Sequence, residues 1–333
     1  MEVLKVGIVG CGRIAEAHLN ALSSLKDKFE VSAVYDLDEK RAESISKKFG
    51  INEKPKLEEL LSNTKLDLIS VTVPDGFHYD IVKKVLLSHK NVLVEKPIAL
   101  NISEVNELIQ IAKRENVFLG VVLQKRLFKI FKRAKETVDA GKIGNIFLTS
   151  LQQVWYRDDN YFAISWHGKK TLDGGLILNQ SAHNIDLVEW ISGPIRKVFT
   201  YGGQVVRQDI ETEDTVAAVF ETEKGIGNIM LTISSYPKNF GDLFEFIGNK
   251  GRILIGTGAF EQLTSKDFKE DLQELKQPTL SGYGHKLVYE EVYDKIKNGK
   301  NTIIDVNDAY HSFAVAFAMR KSIEEKREID IGG

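Results

Sequence analysis

The stretch Val3–Ala15, VLKVGIVGCGRIA, passes from an apolar strand pattern straight into Gly10-Cys11-Gly12-Arg13-Ile14-Ala15, a G-x-G-x-x-A turn. Gly10 permits a sharp bend, Gly12 lets a pyrophosphate approach the backbone, and Ala15 lets the following helix pack closely on the strand. The first turn of that helix, with Arg13 and Ile14, offers unpaired N–H groups and a dipole that favour an anion. A second apolar run, Phe29 to Tyr35, ends at Asp36, about 20 residues past the glycines, where a dinucleotide fingerprint requires an acid. A carboxylate there can accept both ribose hydroxyls of an adenosine and repels a 2′-phosphate, so the spacing predicts NAD rather than NADP. The competing reading is that Asp36 caps a helix starting near Asp38.

A chain of 333 residues exceeds the size at which one core usually stops growing, so two domains are expected. With 43% hydrophobic and 28% charged residues the composition is that of a soluble globular protein. A net charge of −2 gives no reason to expect nucleic acid or an anionic membrane as partner. The single cysteine, Cys11, cannot form an intramolecular disulfide. It reads as a small residue in the phosphate loop, the alternative being a reactive thiol at a helix N-terminus. No apolar run is long enough to span a bilayer and no cleavable signal opens the sequence, so the expected location is the cytoplasm.

Over residues 1–123, short β-rich runs (Val3 to Val9, Val31 to Tyr35, Leu66 to Val73, Asn91 to Val94, Val117 to Leu123) alternate with helical spacing such as Ile81 to Ser88 and Ser103 to Glu115. This is the rhythm of a parallel sheet covered on both faces. After a helix at Phe128 to Ala140 the pattern turns β-rich, from Ile146 to Ile255, with helices near Ser181 to Ile191 and His285 to Lys297. The expected fold is α/β: an N-terminal Rossmann parallel sheet over 1–123, then a 124–333 domain with an open, mainly antiparallel sheet. The last helix, about 307–325, is expected to pack back on the body, and the open sheet face to support a homodimer or homotetramer.

Glu95-Lys96-Pro97 follows the run Asn91 to Val94 directly, at the edge where ligands bind in open α/β sheets. A lysine there can reach a reacting oxygen. Pro97 holds Lys96 extended, and the bond between them is of the one type readily cis. Thr72-Val73-Pro74-Asp75-Gly76-Phe77-His78 leaves the preceding strand at the same edge and would wall the nicotinamide side. His78 reads equally as a helix N-terminal residue without a ligand. Further along, Asn179, His183 and Asp186 are spaced four and three apart, which projects them from one helix face. His183 has the intrinsic pKa to take a hydroxyl proton near neutrality, although a lone histidine on an amphipathic helix also reads as core. A metal held by His183 and Asp186 lacks further ligands at metal spacing, so no metal is expected.

Taken together, GxGxxA followed by His18, TxPxxxH at Thr72 to His78, EKP at 95–97 and GGxxxNxxxHxxD at 174–186 resemble the glucose-fructose oxidoreductase/inositol dehydrogenase/MocA family across essentially the whole chain. The resemblance implies NAD(P)-dependent hydride transfer at a sugar or polyol carbinol, with Lys96 and His183 at the reacting carbon. The cofactor set it implies adds Arg41, Thr72, Pro74, His78, Glu95, Pro97 and Gln124 to Gly10, Gly12, Arg13, Ile14, Asp36 and Lys96. Where many members carry an aspartate four residues before the histidine, this chain has Asn179, which cannot supply the same charge and should leave His183 less basic.

The string Asn179-Gln180-Ser181-Ala182-His183 resembles the branch that oxidises C3 of UDP-linked N-acetylhexosamines or their uronic acids. Arg126, Arg157, Tyr161, Trp166, His167 and His285 join Lys96, Asn179 and His183 as substrate-binding candidates, aromatic faces suiting sugar or uracil and arginine forks suiting diphosphate or carboxylate. Two alternatives stay open: a dehydrogenase of a free sugar, inositol or other polyol, and a non-catalytic NAD-binding sensor or scaffold.

Overall fold

The apolar runs of the N-terminal third form a five-stranded parallel sheet. In the computed structural model, which describes residues 3–258, 262–264 and 282–332, strands β1 (Leu4–Val9), β2 (Phe29–Tyr35), β3 (Leu68–Val71), β4 (Asn91–Val94) and β5 (Leu119–Val121) lie in the order β2-β1-β3-β4-β5. Every pairing among them is parallel. Their Val, Ile and Leu content follows from burial on both faces: Val6, Ile8, Leu68, Ile69, Val92 and Val121 are fully shielded. An isolated parallel bridge joins Ala33 to Glu53, and Val34 N–H donates to Glu53 O at 3.1 Å. Residue 53 is thus a vestigial strand outside β2, and counting it gives the Rossmann order, whose reversal point beside β1 is where dinucleotides bind.

The helices of this part are α1 (Arg13–Ser23), α2 (Glu39–Phe49), α3 (Leu57–Ser62), α4 (His78–Leu87) and α5 (Ile102–Glu115). Capping places their ends. Asp38 caps α2 through Lys40 N–H, Gly50 ends it in the left-handed region at φ 67°, and Asn101 caps α5 through Glu104 N–H. The start of α5 expected at Ser103 therefore lies a residue earlier, because the capping amide belongs to Asn101.

The described residues divide into two compact units, bounded as Met1–Leu127 with Pro278–Ala309, and Phe128–Gln277 with Tyr310–Gly333. The helix Tyr283–Asn298, which lies beyond the division expected near 123–126, belongs to the first unit. Its buried face, Val288, Tyr289 and Val292, covers that unit's interior, and Tyr289 and Tyr293 pack edge-on to Phe29 at 5.4 and 5.7 Å. Apolar spacing predicts such a face but not which sheet it covers.

In the second unit, α6 (Lys129–Asp139), β6 (Ile146–Val154), α7 (Asp159–Phe162) and α8 (Ala182–Ser192) precede β7 (Ile195–Gly203), β8 (Thr215–Thr222), β9 (Ile226–Thr232), β10 (Gly241–Gly248), β11 (Arg252–Gly256), β12 (Gln262–Thr264) and β13 (Ile329–Asp330). The eight-stranded sheet has the order β12-β11-β10-β6-β9-β8-β7-β13. The β6–β9 pair is parallel and the others are antiparallel. Strand alternation turns Phe244, Phe246, Ile229 and Leu231 inward, with Phe131 of α6 edge-on to Phe244 at 5.3 Å. Tyr201, Val219 and Met230 point to the other face and are 73%, 59% and 45% exposed. The helix Val306–Glu325 returns to this sheet, where Ser322 Oγ accepts Thr200 N–H at 2.9 Å. No described helix is long and apolar enough to cross a membrane.

Candidate active site

The glycine turn is held from three directions. Gly10 N–H donates to Tyr35 O at 2.8 Å, and Gly10 sits at φ 101° with Thr72 so close that a Cβ would lie 2.7 Å from its carbonyl. Only glycine fits both constraints. The Thr72 hydroxyl donates to Gly10 O at 2.7 Å, so this expected cofactor contact buttresses the turn. Gly12 begins α1 with no side-chain cap, and a Cβ built on it meets nothing within 4 Å. That is the open backbone approach a pyrophosphate needs. Arg13 and Ile14 follow as exposed residues of the first turn, and Ala15 is fully buried.

Asp36 is not a helix cap, since Asp38 takes that role. Its Oδ2 accepts Cys11 N–H at 2.7 Å and its Oδ1 accepts Asp38 N–H at 2.8 Å. Arg41 lies exposed and pairs with Asp38 at 3.2 Å. A groove of about 540 Å³ beside the end of β2 is lined by Tyr35, Asp36, Leu37, Pro55 and their neighbours. Burial and the Asp36 carboxylate push the Cys11 thiol up to about 12, which removes the reactive-thiol alternative.

At the end of β4, the Glu95 carboxylate is buried and Lys96 is half-buried; the Lys96–Pro97 peptide is cis. Oε1 of Glu95 accepts from Nε2 of His18 and from Nε2 of His285, each at 3.0 Å. His18 Nδ1 lies 2.8 Å from Tyr289 OH, and that hydroxyl 2.8 Å from Ser70 Oγ. One proton arrangement satisfies every group: Ser70 donates to Tyr289, Tyr289 to His18 Nδ1, and both Nε2–H groups to an ionised Glu95. Burial would raise the Glu95 carboxyl, but the two imidazoles outweigh it and hold it well below the carboxylate range. Burial pushes His18 down. The three side chains bring ligand-type atoms within 4.8 Å of one another.

Two expected substrate contacts are therefore corrected. His285 is buried on Glu95, so its ring positions the EKP turn. Arg126, 1% exposed, donates through Nη1 to Ile303 O at 2.9 Å and through both terminal nitrogens to Asp308 O at 3.4 Å. A guanidinium committed to backbone carbonyls ties residues 303–308 to the 3₁₀ turn Gln124–Leu127 and is not a fork for a diphosphate. His78, expected to wall the nicotinamide, is also buried: Nδ1 is 2.6 Å from Pro97 O and Nε2 2.8 Å from Val73 O, so the ring staples the Pro74 loop to the EKP turn. Gln124 behaves differently, its Oε1 being buried without a hydrogen-bond partner among the described residues. An orphaned acceptor of this kind fits a cofactor amide.

The second unit holds the remaining candidates. Gly175, at φ 65°, turns the chain into a π-helical segment, Leu176–Gln180, closed by Ser181 N–H on Leu176 O at 2.8 Å. A Cβ on Gly175 would lie 2.7 Å from Thr212 Cβ, and Ile177 N–H donates to buried Glu213 at 2.9 Å. Asn179 sits in this π segment, half-buried His183 in the first turn of α8, and Asp186 is buried behind it. One continuous helix face for the three is thus corrected to a π turn followed by a helix.

Around them, Arg157 Nε donates to Gln180 Oε1 at 2.8 Å, and Gln180 Nε2 to Tyr161 OH at 2.7 Å. The guanidinium lies 4.9 Å from the Trp155 ring and 5.4 Å from the Tyr161 ring. His167 stacks on Tyr161 at 3.9 Å and meets Trp166 at 3.8 Å. Sequence reasoning missed Gln180 as the joint of this layer and Asp173 beneath it. Asp173 is buried and accepts from Gly168 N–H at 2.7 Å, Gly175 N–H at 2.9 Å and the Asn179 amide at 3.0 Å. An acid directly before two glycines was the available signal.

A glycine turn open at a helix N-terminus, an acid at the end of the next strand and a lysine at the sheet edge define an NAD-binding oxidoreductase that acts on alcohol carbons. Residues 4–123 match the oxidoreductase family, NAD-binding Rossmann fold, and residues 135–331 its C-terminal alpha/beta domain, so the chain belongs to the Gfo/Idh/MocA oxidoreductase family. It is 24% identical to myo-inositol 2-dehydrogenase of Thermotoga maritima, over 98% of each chain. Among solved structures it resembles the WlbA dehydrogenase of Bordetella pertussis in complex with NADH and UDP-GlcNAcA (26% identity, all of both chains, TM-score 0.91). The WlbA dehydrogenase of Chromobacterium violaceum, with the same two ligands, gives 26% identity and TM-score 0.93 over all of this chain and 97% of that one.

The NAD preference has a direct check. Asp36→Ala removes the acceptor expected to take the ribose hydroxyls and the one that orients Cys11 N–H, so the Kd for NAD should rise about tenfold or more and discrimination against NADP should shrink. Fluorescence titration with both coenzymes measures this, and an unchanged ratio of affinities would refute the ribose contact.

Proposed function

We propose that the chain oxidises C3 of a UDP-N-acetylhexosamine or its uronic acid. The observation that carries this reading is the layer Arg157–Gln180–Tyr161–His167, in which a guanidinium is held between aromatic rings by the amide next to Asn179. Such a layer pairs a planar cation for carboxylate or phosphate with flat faces for sugar or base. The likeness to two dehydrogenases crystallised with NADH and UDP-GlcNAcA supports it.

When bound, NAD supplies the hydride acceptor. The His183 imidazole takes the hydroxyl proton as the carbinol C–H bond breaks, and the Lys96 side chain stabilises the developing alkoxide. The C–H electron pair leaves as hydride, the O–H proton stays on the protein, and a ketone results. The Glu95 network keeps the turn that carries Lys96 in one geometry, which preserves the near-attack arrangement such a transfer needs.

A second reading, oxidation of a free polyol, is favoured by the full-length likeness to a myo-inositol dehydrogenase. NADH formation measured with UDP-N-acetylglucosamine, its uronic acid, glucose and myo-inositol separates the two. A nucleotide sugar should exceed the free polyols in kcat/KM by at least about a hundredfold; preference for inositol or glucose would replace the first reading by the second.

A further inference from the structure

Among the described residues, the first unit brings three metal-type donors together: Nε2 of His18, Oε1 of Glu95 and Nε2 of His285, all within 4.8 Å of one another. Their separation along the chain hides them from any spacing rule, since Glu95 is 77 residues from His18 and 190 from His285. Both nitrogens lie 3.0 Å from the same carboxylate oxygen. Around a tetrahedral Zn²⁺ at ordinary bond lengths, neighbouring ligand atoms are about 3.3 Å apart, so both nitrogen–oxygen edges are already close to the length that coordination needs. The two imidazoles are tilted by 55° with centroids 4.6 Å apart, and their Nε2 edges converge on Glu95.

A metal site also needs an outer shell that fixes its ligands. His18 has one: Nδ1 lies 2.8 Å from Tyr289 OH, and that hydroxyl 2.8 Å from Ser70 Oγ, all three side chains being buried. A neutral imidazole carries one proton, which either nitrogen can hold. With the proton on Nε2 the His18 ring donates to Glu95 and accepts from Tyr289. With it on Nδ1 the ring donates to Tyr289, Tyr289 donates to Ser70, and the Nε2 lone pair is released for a cation. The hydroxyl pair serves both states, because either oxygen can be the donor. Coordination by His18 therefore requires a change of tautomer and no proton lost to water. Glu95 is buried as well, and a buried carboxylate is stabilised by pairing or by a metal ion.

We propose that His18, Glu95 and His285 form a structural site for a divalent ion of intermediate softness, Zn²⁺ or Co²⁺, that clamps the EKP turn between α1 and the helix Tyr283–Asn298. Two imidazoles and one carboxylate are a donor set such ions accept, whereas Mg²⁺ and Ca²⁺ prefer oxygen alone. Each ligand comes from a different segment, so the ion cross-links three parts of the first unit. The site is independent of which sugar is oxidised.

The test unfolds the full chain in urea with a chelator, refolds it with Zn²⁺ or Co²⁺ and removes unbound ion, so that burial does not bar entry. About one ion per chain should remain, and Co²⁺ should show the intense visible bands of a four-coordinate site. Saturating Zn²⁺ should raise Tm by about 3 °C or more over the metal-free protein. His285→Gln keeps an amide donor for Glu95 but lacks the imidazole, so it should fold and bind at least about a hundredfold more weakly. His183→Ala and His311→Ala alter histidines of α8 and of the helix Val306–Glu325, outside the cluster, and should bind as wild type. Undiminished binding by His285→Gln, loss of binding in either control, or weak six-coordinate Co²⁺ bands alone would put the ion elsewhere and overturn the proposal. A refolded wild type that retains no ion would overturn it too. Should His285→Gln fail to fold, Tyr289→Phe serves: it removes the hydroxyl that receives the Nδ1 proton of His18 and should weaken binding about tenfold, an unchanged affinity overturning the proposal.

Discussion

Replacing Lys96 by alanine should reduce kcat by about a thousandfold, the range expected for loss of a group that handles a proton or an oxyanion in the transition state. The Kd for NAD should stay within about threefold, because the glycine turn, Asp36 and Gln124 are untouched and a side chain acting only in the transition state adds little to ground-state binding. His183→Ala should behave alike in kcat. Stopped-flow measurement of NADH formation under saturating substrate separates chemistry from product release. Near-normal single-turnover rates in both variants would sink the assignment of the two residues. A loss in Lys96→Ala alone would leave the lysine as the group that carries the proton.

The largest expected effect on stability comes from His18→Ala. The ring donates to buried Glu95 and accepts from Tyr289, and its removal leaves an ionised carboxylate with one donor fewer, a phenol without its acceptor and a cavity. The loss should be about 3 kcal/mol, read as a drop in the urea midpoint without a change in slope. The pH dependence has a definite sign. Glu95 is held below its unfolded value, so its contribution is present above about pH 4.3 and lost as pH falls through the folded value. His18 is also depressed, so its protonation in the unfolded chain costs stability from about pH 6.5 downward. Wild type should therefore lose stability progressively below pH 6.5, and His18→Ala should show a shallower fall across the same window. An identical slope would mean that the network does not titrate as a unit.

Lys96 and Glu95 illustrate how local signals and distant ones divide. The EKP turn was legible because it follows a buried strand at the edge where parallel sheets bind ligands. Its support was not, since Glu95 is held by one histidine from α1 and another from the helix Tyr283–Asn298. The same division holds for Asn179: its departure from the family pattern was visible, but the carboxylate beneath it was not.

The sequence by itself determined the turn expected to hold the coenzyme. The turn Gly10–Ala15, the strand before it and Asp36 after it are set by backbone conformation and short-range spacing, which residue types at fixed offsets encode directly. The tertiary structure alone decided what Arg126, His78, His285 and Asp173 do. A polar side chain declares only a capacity to donate or accept, and which partner it meets, and whether water competes, depends on segments that folding brings together. Arg126 and His285 carry the right groups for a nucleotide sugar, yet carbonyls at 303 and 308 and the Glu95 carboxylate had already claimed them.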